Sequence, residues 1–287
     1  MSHSPRRLRF RIVNVFATGR AGLTGNPLCV FEDAALLEES SMQALARQFN
    51  LSESTFILPA AAPDAATVRI FTPSYEMPFA GHPTLGTAHV CRALGRGGDQ
   101  LRLRMRAGSI PVRATGDRWT LRAPRHGSRE VEASSAELAQ ALGLDPSDLA
   151  DRPLWVKAGK EQLIVPLAST AAVERAAPRP EAFFRLRSED GISMAYVFAH
   201  AGPARLTARF FFRDGDGVRE DPATGSAAAN LGGWWIETAG PRPTAFEISQ
   251  GARVGRPSRL HLEIDGNGEV CVGGEVVEVA RGEFELA

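Results

Sequence analysis

A glutamate, a histidine, an aspartate and a serine stand in segments suited to moving a proton on a small carboxylated molecule. Glu53 lies in NLSESTFILP, where a helical pattern gives way to an apolar strand and Leu51, Phe56 and Ile57 are close in sequence. A carboxylate held among apolar groups has its charged form disfavoured, which suits it to acid–base work near neutrality. An exposed glutamate at a strand start is the plainer account of that position, and Glu76 and Glu220 are alternatives in turn segments. His82 opens HPTLGTA and Asp221 opens DPATGSA, two strings of the form polar–Pro–x–x–Gly–(Thr/Ser)–Ala. Each reads as a helix start, with His82 or Asp221 at the N-cap and Pro83 or Pro222 at the first helical position. Taken singly, each is a cap or turn residue; as a matched pair they point to function. Free N–H groups and a positive helix end attract anions. Two such starts facing one another would make a carboxylate site, with the hydroxyls of Thr87 and Ser226 one turn in as further donors.

The elements that must hold these residues also come twice. TVRIF (67–71) precedes the first string and TARFF (207–211) the second, at the same separation to within one residue. Two matched blocks at one offset mark an internal repeat. In each copy a β-branched and aromatic run is followed by a turn and then a small, apolar helix, TLGTAHVCRALG or ATGSAAANLGGWW. Helices so poor in charge are expected to be buried on most sides, with Gly95 ending the first. Met42, Leu45, Ala46 and Phe49 predict an amphipathic helix over 39–49, stopped by Asn50 in a left-handed conformation. ESTFILP, EQLIVPL and ISMAYVFA predict strands, and 134–150 one or two short helices. The expected fold is α+β, two pseudo-symmetric lobes, each a sheet wrapped around a central helix. The lobe boundary falls in APRHGSREVEA (123–133), which carries Pro, Gly and charge.

Composition narrows the function classes. Lys+Arg and Asp+Glu both number 33 in 287 residues, so no broad basic field exists for nucleic acid or an anionic membrane. Alternating Arg102, Arg104, Arg106 and Arg113 fit a solvated strand face. The three cysteines, Cys29, Cys91 and Cys271, are far apart and lack CxxC spacing, which argues against disulfides or structural zinc. The N-terminal stretch lacks the sustained apolar run of a signal peptide, and no segment is long and apolar enough to span a bilayer. A soluble cytoplasmic protein is expected. GRAGLTG (19–25) lacks dinucleotide-binding spacing. DGDGVRE resembles the start of a calcium loop but has Arg219 where the loop needs glycine. His3, His89, His126, His200 and His261 are scattered, there is no HExxH, and TGSAA is not a nucleophile elbow. Metal and nucleotide cofactors are therefore not expected.

GNPLCVF, NLSESTF, PFAGHPTLGTAHV and EDPATGSAAANL, in that order, resemble the PhzF-type isomerase family of phenazine biosynthesis. That family is related to diaminopimelate epimerase and proline racemase. The resemblance runs from Val13 to the final strands. It implies a diaminopimelate epimerase-like fold with the active site between two lobes, spanning 1–125 with a returning strand 278–287, and 126–277. Homodimers are common in the family. By position, Glu53 matches the family's general acid/base, which carries a proton from one ring carbon of a dihydro-hydroxyanthranilate to another on the same face. His82 and Asp221 match residues that orient the substrate and assist proton movement; Ser226 matches a substrate-binding hydroxyl. Gly81 and Gly225 match backbone contacts at the helix ends. Racemases of this fold use one cysteine at each helix start; FAGHP and EDPAT have none, so a two-thiol epimerisation is excluded. The expected function is a cofactor-independent isomerisation of a small carboxylated substrate. Its rivals are a non-catalytic binding module and hydration or elimination by the same Glu53.

Overall fold

In the computed structural model of the chain, the repeat read in the sequence returns as topology. The described residues are 6–19 and 23–286; His3 and the middle of GRAGLTG lie outside them. The chain divides into two compact units, Met1–Leu121 with Gly273–Ala287, and Arg122–Val272.

The first unit contains β1 (Arg6–Val15), β2 (Asn26–Phe31), α1 (Glu39–Phe49), β3 (Ser54–Leu58), β4 (Ala66–Phe71) and β5 (Glu76–Met77). It continues with α2 (Gly81–Ala93), β6 (Gln100–Met105), β7 (Gly108–Thr115) and β8 (Arg118–Arg122), whose last residue begins the second unit. The second holds β9 (Gly127–Glu130), α3 (Ser135–Leu142), β10 (Leu154–Ala158), β11 (Lys160–Pro166), α4 (Thr170–Arg175) and α5 (Pro180–Phe183). Then come β12 (Met194–Gly202), β13 (Arg205–Asp214), β14 (Gly217–Asp221), α6 (Gly225–Glu237), β15 (Thr244–Gln250) and β16 (Ser258–Ile264). β17 (Val270–Leu286) passes from the second unit into the first.

The pairing sequence in the first unit is β1–β2 antiparallel, β2–β3 parallel, β3–β4 and β4–β5 antiparallel, β4–β6 parallel, and β6–β7 antiparallel. Strands β10 to β16 repeat every pairing in the same order and sense. A duplicated chain keeps its pairing scheme because the alternation of apolar residues fixes register in both copies. In the first unit β17 pairs with both β1 and β8, closing the strands into a ring.

Each unit is built around its small-residue helix. All residues from His82 to Ala88 in α2 and from Ala227 to Trp234 in α6 are buried. Small side chains let the strands approach. A Cβ on Gly86 would lie 2.7 Å from Leu28 Cδ2 and 3.0 Å from Val13 and Val15 methyls; one on Gly232 would lie 2.7 Å from Val270 Cγ1. Gly86→Ala is expected to lower the unfolding free energy by about 1–3 kcal/mol through overpacking, read as a lower urea midpoint with unchanged slope. No change in midpoint would show that the sheet yields freely there.

The amphipathic helix forms over residues 39–49 and buries Met42, Leu45 and Ala46. These residues pack with Phe31, Phe56 and Phe71 in an aromatic cluster, in which Phe31 and Phe56 stack at 4.8 Å. Asn50 ends the helix at φ 50°, and Gly95, at φ 73°, follows the end of α2. In the second unit α3, α4 and α5 cover a separate core with Trp155, Phe183 and Phe211. No helix among the described residues is long and apolar enough to cross a membrane.

Candidate active site

In the first unit, His82 and Glu53 come together where α2 begins. The expected N-cap role of His82 is corrected: the cap is Ala80, and His82 is the second residue of a helix that starts at Gly81. Pro83 is accommodated at the third position because the first four N–H groups of a helix lack intrahelical acceptors in any case. His82 is 7% exposed. Its ring bonds to the main chain of Pro27, which has only a carbonyl to offer, so that ring nitrogen carries the hydrogen. The other nitrogen, Nε2, stands 3.5 Å from Glu53 Oε2. Burial is the dominant influence on the imidazole and pulls its pKa down to about 3, outweighing the Pro27 carbonyl. His82 is therefore neutral near pH 7, with Nε2 as an acceptor aimed at Glu53. Glu53 itself is mostly enclosed, just ahead of β3.

In the second unit, the N-cap role expected of Asp221 is likewise corrected. Asp221 ends β14, and Thr224 caps α6. The reason is the length of the hairpin. Glu76 and Glu220 occupy matching positions opposite Phe71 and Phe211, but four extra residues in the β13–β14 turn carry the strand as far as Asp221. Thr224 Oγ1 donates to Asp221 Oδ2 at 2.5 Å and accepts from Gln250 Nε2 at 3.0 Å. Gln250 Nε2 also donates to the Asp221 carbonyl, and its Oε1 accepts from the Thr224 N–H. Gly251 is required beneath this segment: it has φ 80°, and a Cβ there would lie 2.4 Å from the Pro222 carbonyl oxygen. Gly225 and Ser226 form the first two positions of α6, where their N–H groups precede the first intrahelical acceptors. Ser226 is partly exposed, whereas Thr87 is buried within α2 and bonded to Thr55 Oγ1 at 2.8 Å. Thr87 is thus not a donor at the helix mouth, contrary to expectation.

The alternative acids are occupied. Glu76 is held by Arg69 and Arg106, each at 2.6 Å, and Glu220 by Arg209 at 2.7 Å. The two pairs are repeat-related, and Arg69 and Arg209 also stack on Phe71 and Phe211.

Residues 13–282 match the PhzC–PhzF family of phenazine biosynthesis-like proteins. The chain belongs to that family. It is 37% identical to trans-2,3-dihydro-3-hydroxyanthranilate isomerase of Pseudomonas aeruginosa over 91% of this chain and 92% of that one. An uncharacterized isomerase of Pasteurella multocida is also 37% identical, over 96% and 93%. Among solved structures, a PhzF-family protein of Bacillus anthracis superposes with a TM-score of 0.85 at 23% identity, covering 98% of this chain and 100% of that one. A hydroxyproline epimerase of Agrobacterium vitis shares the fold at a TM-score of 0.65 and 11% identity, covering 98% and 93%. The fold is thus diaminopimelate epimerase-like, and this PhzC–PhzF member is an isomerase.

Its thiols take no place at the helix starts. Cys29 lies in β2 and Cys91 near the end of α2; both are buried, and burial pushes the Cys91 thiol up to about 12 and the Cys29 thiol higher still. Such thiols are poor nucleophiles and poor bases. The DGDGVRE string is the β13–β14 turn, with Arg219 paired to Asp214 at 2.6 Å.

Several residues around the candidate site of this PhzC–PhzF chain were not read from the sequence. Pro27 belongs to GNPLCVF, a quoted motif that carried no assigned role. Gln250 is far along the chain and had no signal. Tyr75, about half exposed on the turn before β5, lies within electrostatic reach of Glu53, and burial followed by the Glu53 charge raises its phenol. Thr72 fixes that turn by accepting the N–H groups of Ser74 and Tyr75.

Proposed function

We propose that the protein isomerises a small carboxylated cyclic diene of the trans-2,3-dihydro-3-hydroxyanthranilate type, with Glu53 as the only proton carrier. The observation that carries this reading is the Glu53–His82 pair, a carboxyl group beside a neutral imidazole that can only accept. Glu53 as carboxylate takes a proton from one ring carbon. The electron pair left behind spreads through the adjacent unsaturation, and Glu53 returns the proton to another carbon on the same face. Nothing is gained or lost overall. Between the two steps His82 Nε2 accepts from the protonated Glu53 and keeps that acid oriented.

The substrate carboxylate is assigned to Gly225, Ser226 and the start of α6, and substrate orientation to Asp221 and Gly81. N–H donors fixed before the reaction stabilise developing negative charge without reorganisation. Proton transfer between carbons needs a base and no cofactor. The family resemblance supports action as a homodimer, and the lack of a basic field supports a small molecule rather than nucleic acid as partner.

The test is to supply trans-2,3-dihydro-3-hydroxyanthranilate in ordinary and heavy water and weigh the product. An isomer of unchanged mass in H2O is expected, with one non-exchangeable deuterium acquired in D2O when the Glu53 proton exchanges before its return. A product heavier or lighter by water would establish hydration or elimination instead. Recovery of unchanged ligand from a tight complex would make this a binding module.

A further inference from the structure

We infer that Gln162 and Asn230 form a polarised relay that fixes the Ser226 hydroxyl as a hydrogen donor to a substrate carboxylate. This rests on the reading of Ser226 as a substrate-binding hydroxyl. Asn230 lies on α6, one turn beyond Ser226, and is fully buried; Gln162, on β11, is 2% exposed. Two amides in an apolar core are unfavourable unless every polar end is matched. Here each end is matched, and in one direction only.

The direction is set by the main chain. Asn230 Oδ1 accepts from the Ala158 N–H at 2.6 Å, and its Nδ2 donates to the Lys160 carbonyl at 2.9 Å. Turning the amide round would set donor against donor and acceptor against acceptor. The second Nδ2 hydrogen therefore goes to Gln162 Oε1, at 2.8 Å. That fixes Gln162 in turn, so its Nε2 is the end that meets Ser226 Oγ, 3.0 Å away, and it donates. With an Oγ lone pair engaged by Gln162, the Ser226 hydrogen must point elsewhere. Among the described residues no acceptor takes it. The polarity of the β10–β11 hairpin is thus transmitted through two buried amides to a partly exposed hydroxyl beside the first N–H groups of α6.

The first unit has no such device. The second position of α2, which matches Ser226 in α6, is His82 and carries no hydroxyl, while Thr87, the counterpart of Ser226 in the repeated string, shares a buried hydrogen bond with Thr55 in which either oxygen can be the donor. The asymmetry singles out α6 as the helix whose hydroxyl is committed to an anion. Gln162 and Asn230 are positioning residues, acting only through Ser226.

The test is a double-mutant cycle read as the dissociation constant of 3-hydroxyanthranilate by calorimetry at pH 8. Ser226→Ala is expected to weaken binding about tenfold, the effect of one hydrogen bond to a charged group. Gln162→Met, which removes the donor to Ser226 without placing a charge beside the bound carboxylate, is expected to weaken it similarly. The double variant should then bind no worse than either single one, because a residue acting through Ser226 has nothing left to act on. A merely structural role for Gln162 would make the two effects multiply, and that result overturns the relay, as does Gln162→Met binding like the unsubstituted protein. Should Gln162→Met fail to fold, Gln162→Leu in the same cycle gives the same discrimination. If Ser226→Ala leaves affinity unchanged, or the unsubstituted protein binds no 3-hydroxyanthranilate, the underlying reading of Ser226 falls and the relay with it.

Discussion

Glu53→Gln is expected to slow turnover by about a thousandfold or more while leaving substrate affinity within a few-fold of the original. General acid–base groups contribute roughly 10² to 10⁴ in rate, and a residue that both removes and returns the proton belongs near the top of that range. The introduced amide keeps the size of Glu53 and can still donate to His82 Nε2, so the surroundings of α2 should persist. That separates chemistry from folding. Glu53→Asp withdraws the carboxyl by one methylene and should retain more activity, about a hundredfold down, since small misplacements of a reacting group are costly. Rapid-mix kinetics with parallel deuterium uptake would measure both. Exchange in Glu53→Gln at the original rate would remove Glu53 from the mechanism.

The second large effect concerns acid stability. In the unfolded chain His82 takes up a proton near pH 6.5; in the folded protein, burial keeps it neutral down to about 3. Between those values the unfolded state binds a proton that the folded state refuses, so lowering the pH favours unfolding. The stability in question is fully present above pH 6.5 and is lost progressively as pH falls towards 3, on the order of 5 kcal/mol in all. His82→Asn should therefore be less stable than the unsubstituted protein at pH 7, having lost buried contacts. Its stability should also decline more gently with acid, so that the gap closes by about pH 4. Urea midpoints at several pH values would show this. Parallel pH curves would mean that the folded protein protonates the imidazole as readily as the unfolded chain does.

The strength of the sequence reading lay in periodicity and repetition. Met42, Leu45, Ala46 and Phe49 located α1 because one apolar stripe suffices to place a helix against a sheet, and Asn50 tolerates the left-handed stop that few other residues accept. TVRIF and TARFF became β4 and β13, and the pairing of their neighbours repeats throughout. The reading failed where strings of one pattern meet different surroundings. Proline fits anywhere in a first turn, so HPTLG and DPATG could not reveal that one helix begins before the histidine and the other after the aspartate. Only the length of the preceding hairpin decides that. Glu53 and His82 were named from the chain alone, yet the Pro27 carbonyl that sets the histidine's tautomer was not. Gln162, Asn230 and Gln250 were invisible because their significance comes from distant partners and from which amide end faces which.

The closure of the first unit by β17 bears on how the chain is made. Residues near its start pair in register with residues near 286: Arg6 lies beside Leu286, and Val15 beside Val276. An emerging polypeptide can therefore assemble β9 to β16 around α6 while the earlier half still waits for its final staves. The first unit can therefore close its ring of strands only once residues 273–286 are available to pair with β1 and β8. Contacts so remote in sequence are slow to form. Joining the two ends and opening the chain at an exposed turn elsewhere would bring those partners together from the outset.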